Sequence, residues 1–288
     1  MRSYSALLAL VMFIVWSNSA AVQAAEESPA GLSLVVMDPL AAPLSCPCVE
    51  GYAQRDYEKL AEYLSKRLDR PVTVTFAESF EKALADEDCD AIDIVIGKDS
   101  VVRHDAALAK MVATPIARLT GKDGRTTQTG LIVVRAADPA QSVEDLRGYR
   151  VLFGNAECDE KFAAPRVVLT AAGVELPAEE EAETTEACSD GACKIVEWGD
   201  RERAAAVISS YAAPLLEGCG TINKGDLRVV GETAPVPFIT AFVTDRVSPD
   251  DAAAIRTAIL EVANEPRLLA ALESLVGFVP VDEEPPSA

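Results

Sequence analysis

Residues 91–100 read AIDIVIGKDS, an apolar run followed by a glycine and three polar residues. Ala91–Ile96 is typical of a buried strand, and the residues after it are typical of a turn into a helix, predicted over 101–110. Similar strands precede it at Leu32–Met37 and Val72–Phe76, with helices predicted between them over 56–69 and 79–85. This alternation of strands and helices predicts an α/β fold with a parallel sheet and helices on both faces.

A second α/β series is predicted after residue 128. Its expected strands are Gly130–Arg135, Arg150–Phe153, Lys194–Trp198, Ala206–Ser209 and Leu227–Glu232, and its expected helices begin near Asp159 and cover Asp200–Ala205. A connecting strand is predicted at Pro235–Thr244. Ser248 and Pro249 then match the N-cap and first position of a helix that runs to about Ala263, and a last helix covers Pro266–Leu275.

The chain therefore crosses twice between two α/β units, near 128–135 and 234–244. We expect lobe one over 30–128 plus 245–288, lobe two over 131–235, and a disordered tail at 281–288. Two lobes joined by two crossovers suggest a hinged clamp. Ligands of such sheets bind in the cleft beyond the carboxyl ends of the strands.

The N-terminus has the pattern of an export signal. Arg2 precedes the ten apolar residues 7–16, LLALVMFIVW, and small residues follow in SNSAAVQAA. This predicts a signal peptide over 1–24 and a periplasmic protein. The alternative is a retained membrane anchor, although the run is short for a membrane span, and no later segment is apolar enough to cross a membrane.

Composition excludes several classes of function. Asp and Glu number 46 against 26 Lys and Arg, giving a net charge of -20, which opposes nucleic-acid binding. His104 is the single histidine, so no multi-histidine metal site can form and a catalytic triad would have to use that ring. We predict neither an enzyme nor a bound cofactor.

The seven cysteines leave other possibilities open. In an oxidising compartment most should pair, and Cys188 with Cys193 is a plausible local disulfide across a predicted loop. Cys46 and Cys48 form a CxC pair that a soft metal such as Cu(I) can bind, although two sulfurs are a weak signal. Cys158 is predicted at a helix N-terminus, which lowers a thiol pKa, but acidic neighbours oppose that effect.

The segment QTGLIVVRAADPAQSVEDLRGYRVLFGN carries a family resemblance. Its residues 143–154 match the pattern L-x-D-L-x-G-x-x-V-x-F-G that follows a hinge strand in the phosphonate/phosphite-type periplasmic solute-binding proteins of ABC transporters. The segment LRVVGETAPVPFITAFVTDRVSPDDAAAIRTAIL is similar to that family's return crossover and C-terminal helix. The resemblance implies a two-lobe type-2 periplasmic binding protein fold with two hinge crossovers, a small polar ligand and an ABC permease as partner.

The chain departs from the family after Gly154. Where the family carries a Ser/Thr-rich, oxyanion-binding turn, residues 155–161 read NAECDEK, and their carboxylates would repel an anion. The basic residues Lys98, Arg103, Arg118, Lys122 and Arg125 would favour one if they faced the cleft. Strand ends supply the candidate ligand-binding residues: Asp38, Ser45, Tyr52, Lys98, Asp99, Ser100, Asn155, Glu157, Cys158, Asp159, Ser209, Ser210 and Tyr211.

Two other functions remain open besides solute binding. One is that of an orphan relative of these binding proteins that serves a periplasmic redox or quinoprotein system as an accessory. The other is that of a thiol- or metal-handling protein that uses Cys46, Cys48 and Cys158. Several of the candidate residues also have plain structural roles, since Asp99, Ser100 and Asp159 can cap helices and tyrosines such as Tyr52 and Tyr211 can pack in a core.

Overall fold

A computed structural model describes residues 31–45, 50, 53–87, 89–187, 190–218, 220 and 222–281. The predicted signal peptide, Tyr52, the Cys46–Cys48 pair, Cys188, Cys219 and most of the predicted tail lie outside them. The predicted disulfide between Cys188 and Cys193 is therefore not tested. Among the described residues, no helix is both long enough and apolar enough to cross a membrane.

The first half of the chain forms three strand–helix units in the predicted order. Its elements are β1 (Leu32–Met37), α1 (Tyr57–Leu68), β2 (Val72–Phe76), α2 (Phe80–Leu84), β3 (Ile94–Lys98), α3 (Asp99–Ala109) and β4 (Ala113–Leu119). The side chain of Asp56 caps α1 and that of Ser79 caps α2, each by accepting a backbone N–H. Strand β4 was not predicted, since Pro115 interrupts its apolar pattern.

The second half adds a shorter sheet and its helices. Its elements are β5 (Thr127–Gln128), β6 (Gly130–Arg135), β7 (Arg150–Leu152), α4 (Ala163–Ala171), α5 (Asp190–Trp198), β8 (Ala204–Ser209), α6 (Ala213–Gly218) and β9 (Leu227–Glu232). The chain ends with β10 (Val236–Pro237), β11 (Ile239–Thr244), α7 (Pro249–Glu261), α8 (Pro266–Ala271) and β12 (Phe278–Val279). Ser248 caps α7 with Pro249 in its first turn, as predicted.

Two sheets organise these elements. The first sheet has the order β12-β4-β11-β3-β1-β2, and the second has the order β7-β8-β6-β9. The first sheet is mixed rather than purely parallel, because β11 pairs antiparallel with both β3 and β4. Strand β11 is thus an interior strand of the first sheet, whereas the sequence suggested a connecting strand there.

Each sheet has a hydrophobic core on both faces. Leu34, Val36 and Ile96 face one core of the first sheet, and Val35, Val95 and Phe242 face the other. In the second sheet, Ile132 and Val207 belong to one core and Val133 and Ile208 to the other. The alternation along each strand follows the two-residue period of an extended chain.

The two connections between the sheets pair with each other. Val236 in β10 lies opposite Gln128 in β5, and Pro237 lies opposite Thr127, in a short antiparallel ladder. This ladder lies at the two crossovers that the sequence suggested, and it pairs one crossover with the other.

Three predictions in the second half are wrong. Residues 194–198 belong to helix α5 rather than to a strand, and 200–205 hold a short 3-10 turn followed by the start of β8. Asp190 and Gly191, expected in a loop turn, form the first turn of α5, where Ala192 and Ile195 are buried at helical spacing. A five-residue apolar run fits both a strand and a buried helix, and contacts with the second sheet select the helix.

Candidate functional site

A cluster of polar side chains joins the carboxyl ends of strands from both sheets. Lys98, the last residue of β3, extends its ammonium group from the first sheet towards the turn that follows β7. There it donates hydrogen bonds to Glu160 Oε1 at 2.5 Å and to Cys158 Sγ at 3.2 Å. We call Lys98, Cys158, Glu160 and Ser209 the interlobe cluster.

Glu160 is the centre of this cluster. Ser209 Oγ, at the end of β8, donates to the same oxygen, Glu160 Oε1, at 2.6 Å. The Glu160 side chain is fully buried and that of Lys98 is 7% exposed, so the pair is shielded from solvent. The second carboxylate oxygen, Oε2, is buried and has no hydrogen-bond partner among the described residues.

The turn that carries Glu160 is held by its own backbone. Asn155 accepts a hydrogen bond from the Cys158 amide, and Cys158 accepts one from the Lys161 amide. The turn lies against the start of β6, where a Cβ on Gly130 would come within 1.8 Å of the Glu160 carbonyl oxygen. A glycine at position 130 therefore lets the backbone of this turn approach β6 closely, which brings Glu160 within hydrogen-bond distance of Lys98.

Electrostatics favour the charged forms of the pair. Burial is the largest single influence and would by itself lower the pKa of Lys98 and raise that of Glu160. Their mutual attraction, their hydrogen bonds and the neighbouring groups together reverse this, so the pKa of Lys98 is raised and that of Glu160 is lowered. Burial raises the pKa of Cys158, with partial opposition from Lys98. Cys158 is therefore a poor source of thiolate, which disfavours a redox role for it.

A second contact between the sheets lies beside the cluster. The Asp159 amide donates to Ser100 Oγ at 3.2 Å, and Asp159 itself is exposed. Burial raises the pKa of Asp159, and repulsion from Glu160 and Asp99 raises it further. Asp159 thus places a carboxyl group at the rim of the cluster on the side of the second sheet.

The other predicted residues have partners of their own. Asp99 begins α3, where Arg103 donates to its Oδ1 at 2.6 Å, while its Oδ2 is buried without a partner among the described residues. Ser45 accepts a hydrogen bond from Gln54, and Ser210 accepts one from the Thr129 amide. Tyr211 stacks on Phe238 with ring centroids 4.8 Å apart. Asn155 and Glu157 are half-buried in the turn before Cys158.

Asp38, the residue that follows β1, lies in a separate buried network of hydrogen bonds. Arg55 and Tyr57 donate to its Oδ2 at 2.8 Å and 2.5 Å, and the Leu40 amide donates to its Oδ1 at 2.8 Å. Both carboxylate oxygens are therefore engaged within the first lobe. The sequence placed Asp38 at a strand end but contained no local sign of the distant donors.

Removal of the Tyr57 hydroxyl should lower the stability of the protein, because it takes a donor out of this network. We expect Tyr57→Phe to lower the free energy of unfolding by about 1–3 kcal/mol, because a buried carboxylate loses a donor. Urea denaturation of the purified protein measures the change. Tyr63→Phe is the matched control, since the half-buried Tyr63 hydroxyl donates to Ala258 over a longer 3.3 Å. An equal effect of both variants would contradict the expectation.

The basic residues that the sequence singled out between positions 98 and 125 do not form one cluster. Lys98 belongs to the interlobe cluster, whereas Arg103 pairs with Asp99, Lys122 with Glu273 and Arg125 with Asp123. Arg118 lies in β4, half-buried. These ion pairs oppose the idea of one basic patch that faces the cleft.

Sequence reasoning missed Glu160 as a site residue. It lay in the acidic segment 155–161, but its neighbours Glu157 and Asp159 looked equally suitable.

Two surface cavities lie away from the cluster, one of about 580 Å³ beside the end of α1 and one of about 380 Å³ beside α4. Among the described residues, no group of three His, Cys, Asp or Glu side chains could hold a metal ion.

The charge on Glu160 should make stability depend on pH. Since its pKa is lowered below the ordinary 4.5, its contribution is present above that pH and is lost as pH falls through the lowered value. Lys98 remains protonated throughout this range because its pKa is raised above 10.5. We therefore expect the melting temperatures of the wild type and Glu160→Gln to differ most near pH 7 and to converge below pH 4.5.

Thermal melts across this pH range measure the convergence. The exposed Glu180 provides the control, since Glu180→Gln should follow the wild type at every pH. A gap between wild type and Glu160→Gln that stays constant with pH would show that the carboxylate charge is not what stabilises the cluster.

Comparison with known structures places this architecture among the two-lobe periplasmic binding proteins. XAC2383 from Xanthomonas citri bound to ATP is similar with a TM-score of 0.65 and 19% identity, covering 88% of this chain and 91% of that one. PhnD1 from Prochlorococcus marinus in complex with methylphosphonate has a TM-score of 0.59 and 13% identity over 87% of this chain and 92% of that one. At such identities the likeness concerns the fold.

The sequence identifies the family more narrowly. A family model described as the ABC transporter phosphonate periplasmic substrate-binding protein matches residues 51–285, and the chain belongs to that family. A binding protein component of an ABC phosphonate transporter from Pseudomonas aeruginosa is also similar, with a TM-score of 0.61 and 13% identity over 87% of this chain and 81% of that one. No curated protein matches the sequence.

Proposed function

We propose that this chain is the solute-binding protein of an ABC-type importer. The predicted signal over 1–24 exports it to the periplasm, where it binds a small polar solute between its lobes and delivers it to a permease. It leaves the solute chemically unchanged. The observation that carries the proposal is the interlobe cluster, in which the strand ends of both sheets meet.

The cluster has the properties of a solute site in a hinged protein. Lys98 comes from the first sheet, and Cys158, Glu160 and Ser209 come from the second, so separation of the lobes would expose all four side chains together. Ser100 and Asp159 extend the surface on one side. Tyr211 on Phe238 extends it beside the β5–β10 ladder. These residues, with Asp99 and Ser210, form the proposed ligand surface.

Native mass spectrometry of mature protein exported to a periplasm tests the proposal. A co-purified adduct of small-molecule mass is the expected result, and a denatured, alkylated sample reports the free thiols at the same time. The variant Ser209→Ala is the matched cleft change and should weaken retention of that adduct. Ser45→Ala should not, since the Ser45 hydroxyl has its hydrogen bonds with Ala42 and Gln54 of its own loop. Stoichiometric metal on the wild type, or an adduct that Ser209→Ala leaves unaffected, would contradict the proposal.

One observation favours the accessory function as a second candidate. Lys98 is already neutralised by Glu160 of the same chain, so its ammonium group has a counterion without a solute. An accessory protein with an unused cleft would give a clean mass with no adduct. It would also keep one hydrodynamic radius whether or not periplasmic extract is added.

A further inference from the structure

The carboxylate of Glu160 occupies a position that a bound anion could otherwise take. A buried ammonium group needs a counterion, and the Lys98 ammonium has one at 2.5 Å from within its own chain. Ser209 Oγ adds a second donor to the same oxygen. An ammonium and a hydroxyl that converge on one oxygen resemble the donor set of an oxyanion site.

Charged groups of both signs surround the Lys98–Glu160 pair. Asp159 lies next to Glu160 in the turn, and its pKa is raised first by burial and then by repulsion from Glu160 and Asp99. The positive charge of Lys161 also acts on Glu160, but its side chain packs over Gly154. An incoming oxyanion would therefore meet a lysine that Glu160 already neutralises and the repelling carboxylate of Asp159, with Lys161 as an attracting neighbour.

We propose that Glu160 is a built-in counterion that determines the specificity of the cleft by excluding oxyanions from Lys98. The inference rests on the proposed function for the location of the site. It names the solute class as one without a phosphonate or other anionic group at this position. The unpartnered Glu160 Oε2 adds that such a solute should supply a hydrogen-bond donor, as an amine or hydroxyl does.

This inference predicts that an oxyanion site appears when Glu160 is shortened. In Glu160→Ala, Lys98 keeps its charge and Ser209 keeps its hydroxyl, while the space of the lost side chain becomes available. A small anion from solution should then fill that space and restore the missing counterion.

Calorimetric titration with methylphosphonate and with acetate tests the prediction, and sodium chloride at equal ionic strength controls for screening. We expect Glu160→Ala to bind methylphosphonate at least about tenfold more tightly than the wild type, and its melting temperature to rise saturably with either anion. The double variant Lys98→Met with Glu160→Ala should lose this response, since the ammonium group of Lys98 is gone.

Two outcomes would overturn the inference. One is saturable methylphosphonate binding by the wild type as tight as that by Glu160→Ala. The other is a folded Glu160→Ala whose melting temperature follows chloride as closely as it follows methylphosphonate. If Glu160→Ala does not fold, the wild-type titration still decides, together with Glu160→Gln, which keeps the volume, loses the charge and should bind methylphosphonate more tightly than the wild type.

Failure of this inference is distinguishable from failure of the proposed function. The importer role depends on whether the wild type retains a solute, which native mass spectrometry reports without any variant. The counterion role depends on the anion response of Glu160→Ala relative to the wild type. A wild type without solute and a variant with a new anion site would reject the importer role and keep the counterion role.

Discussion

Replacing Lys98 with methionine is expected to lower the free energy of unfolding by about 3–5 kcal/mol. The change leaves the fully buried carboxylate of Glu160 without its counterion, and the penalty of an unpaired buried charge is larger than the net stabilisation by the intact pair. Urea denaturation followed by circular dichroism measures the loss. Lys82→Met is the control, because Lys82 pairs with Glu78 at the surface and should contribute little.

The double variant Lys98→Met with Glu160→Leu should recover most of that loss. Apolar side chains of similar volume replace a buried ion pair with little cost, although Ser209 loses its acceptor at about 1 kcal/mol. A double variant less stable than either single variant would mean that the ion pair itself, rather than the avoidance of an unpaired charge, stabilises the contact between the lobes.

Replacing Gly130 with alanine is the second change that we expect to destabilise the protein strongly. The new Cβ would lie 1.8 Å from the Glu160 carbonyl oxygen, which belongs to a hydrogen-bonded turn and cannot rotate away as a side chain would. We expect a loss of about 3 kcal/mol in the free energy of unfolding, at the upper end of the usual range for overpacking. Thermal and urea denaturation measure it.

Gly31→Ala is the matched control, since its Cβ would meet Pro71 no closer than 3.5 Å and should change stability within about 0.5 kcal/mol. Gly130→Ala should also displace the turn and loosen the contact of Glu160 with Lys98. Lys98→Met should therefore cost less in the Gly130→Ala background than in the wild type. Additive effects of the two changes would show that Gly130 has no part in placing Glu160.

Local chemistry in the sequence predicted most individual elements. The strands β1, β2, β6 and β9 have the bounds that their apolar runs predicted, since β-branched runs between turn residues have few other stable conformations. The caps at Ser248 and Pro249 predicted the start of α7 for the same local reason. The family resemblance, carried by residues 143–154, is confirmed by the family match.

The sequence was ambiguous where local preference did not decide the outcome. Residues 194–198 suit a strand or a helix, and packing of Ala192 and Ile195 against the second sheet selects the helix. Strand β11 follows two prolines and looked like a connection, yet it is interior to the first sheet because β3 and β4 both offer it an edge. Pairing partners of this kind lie far apart in the chain.

The amino-acid sequence by itself determined most of the alternation of strands and helices, the two crossovers, the acidic net charge and the family. Only the tertiary structure decided which polar residues meet. It brings Lys98 to Glu160, 62 residues away, and Ser209 to the same carboxylate, while Asp38 is taken up by Arg55 and Tyr57. The reason is physical: periodicity and capping act within a few residues, whereas the partner of a buried charge is chosen by the packing of distant segments.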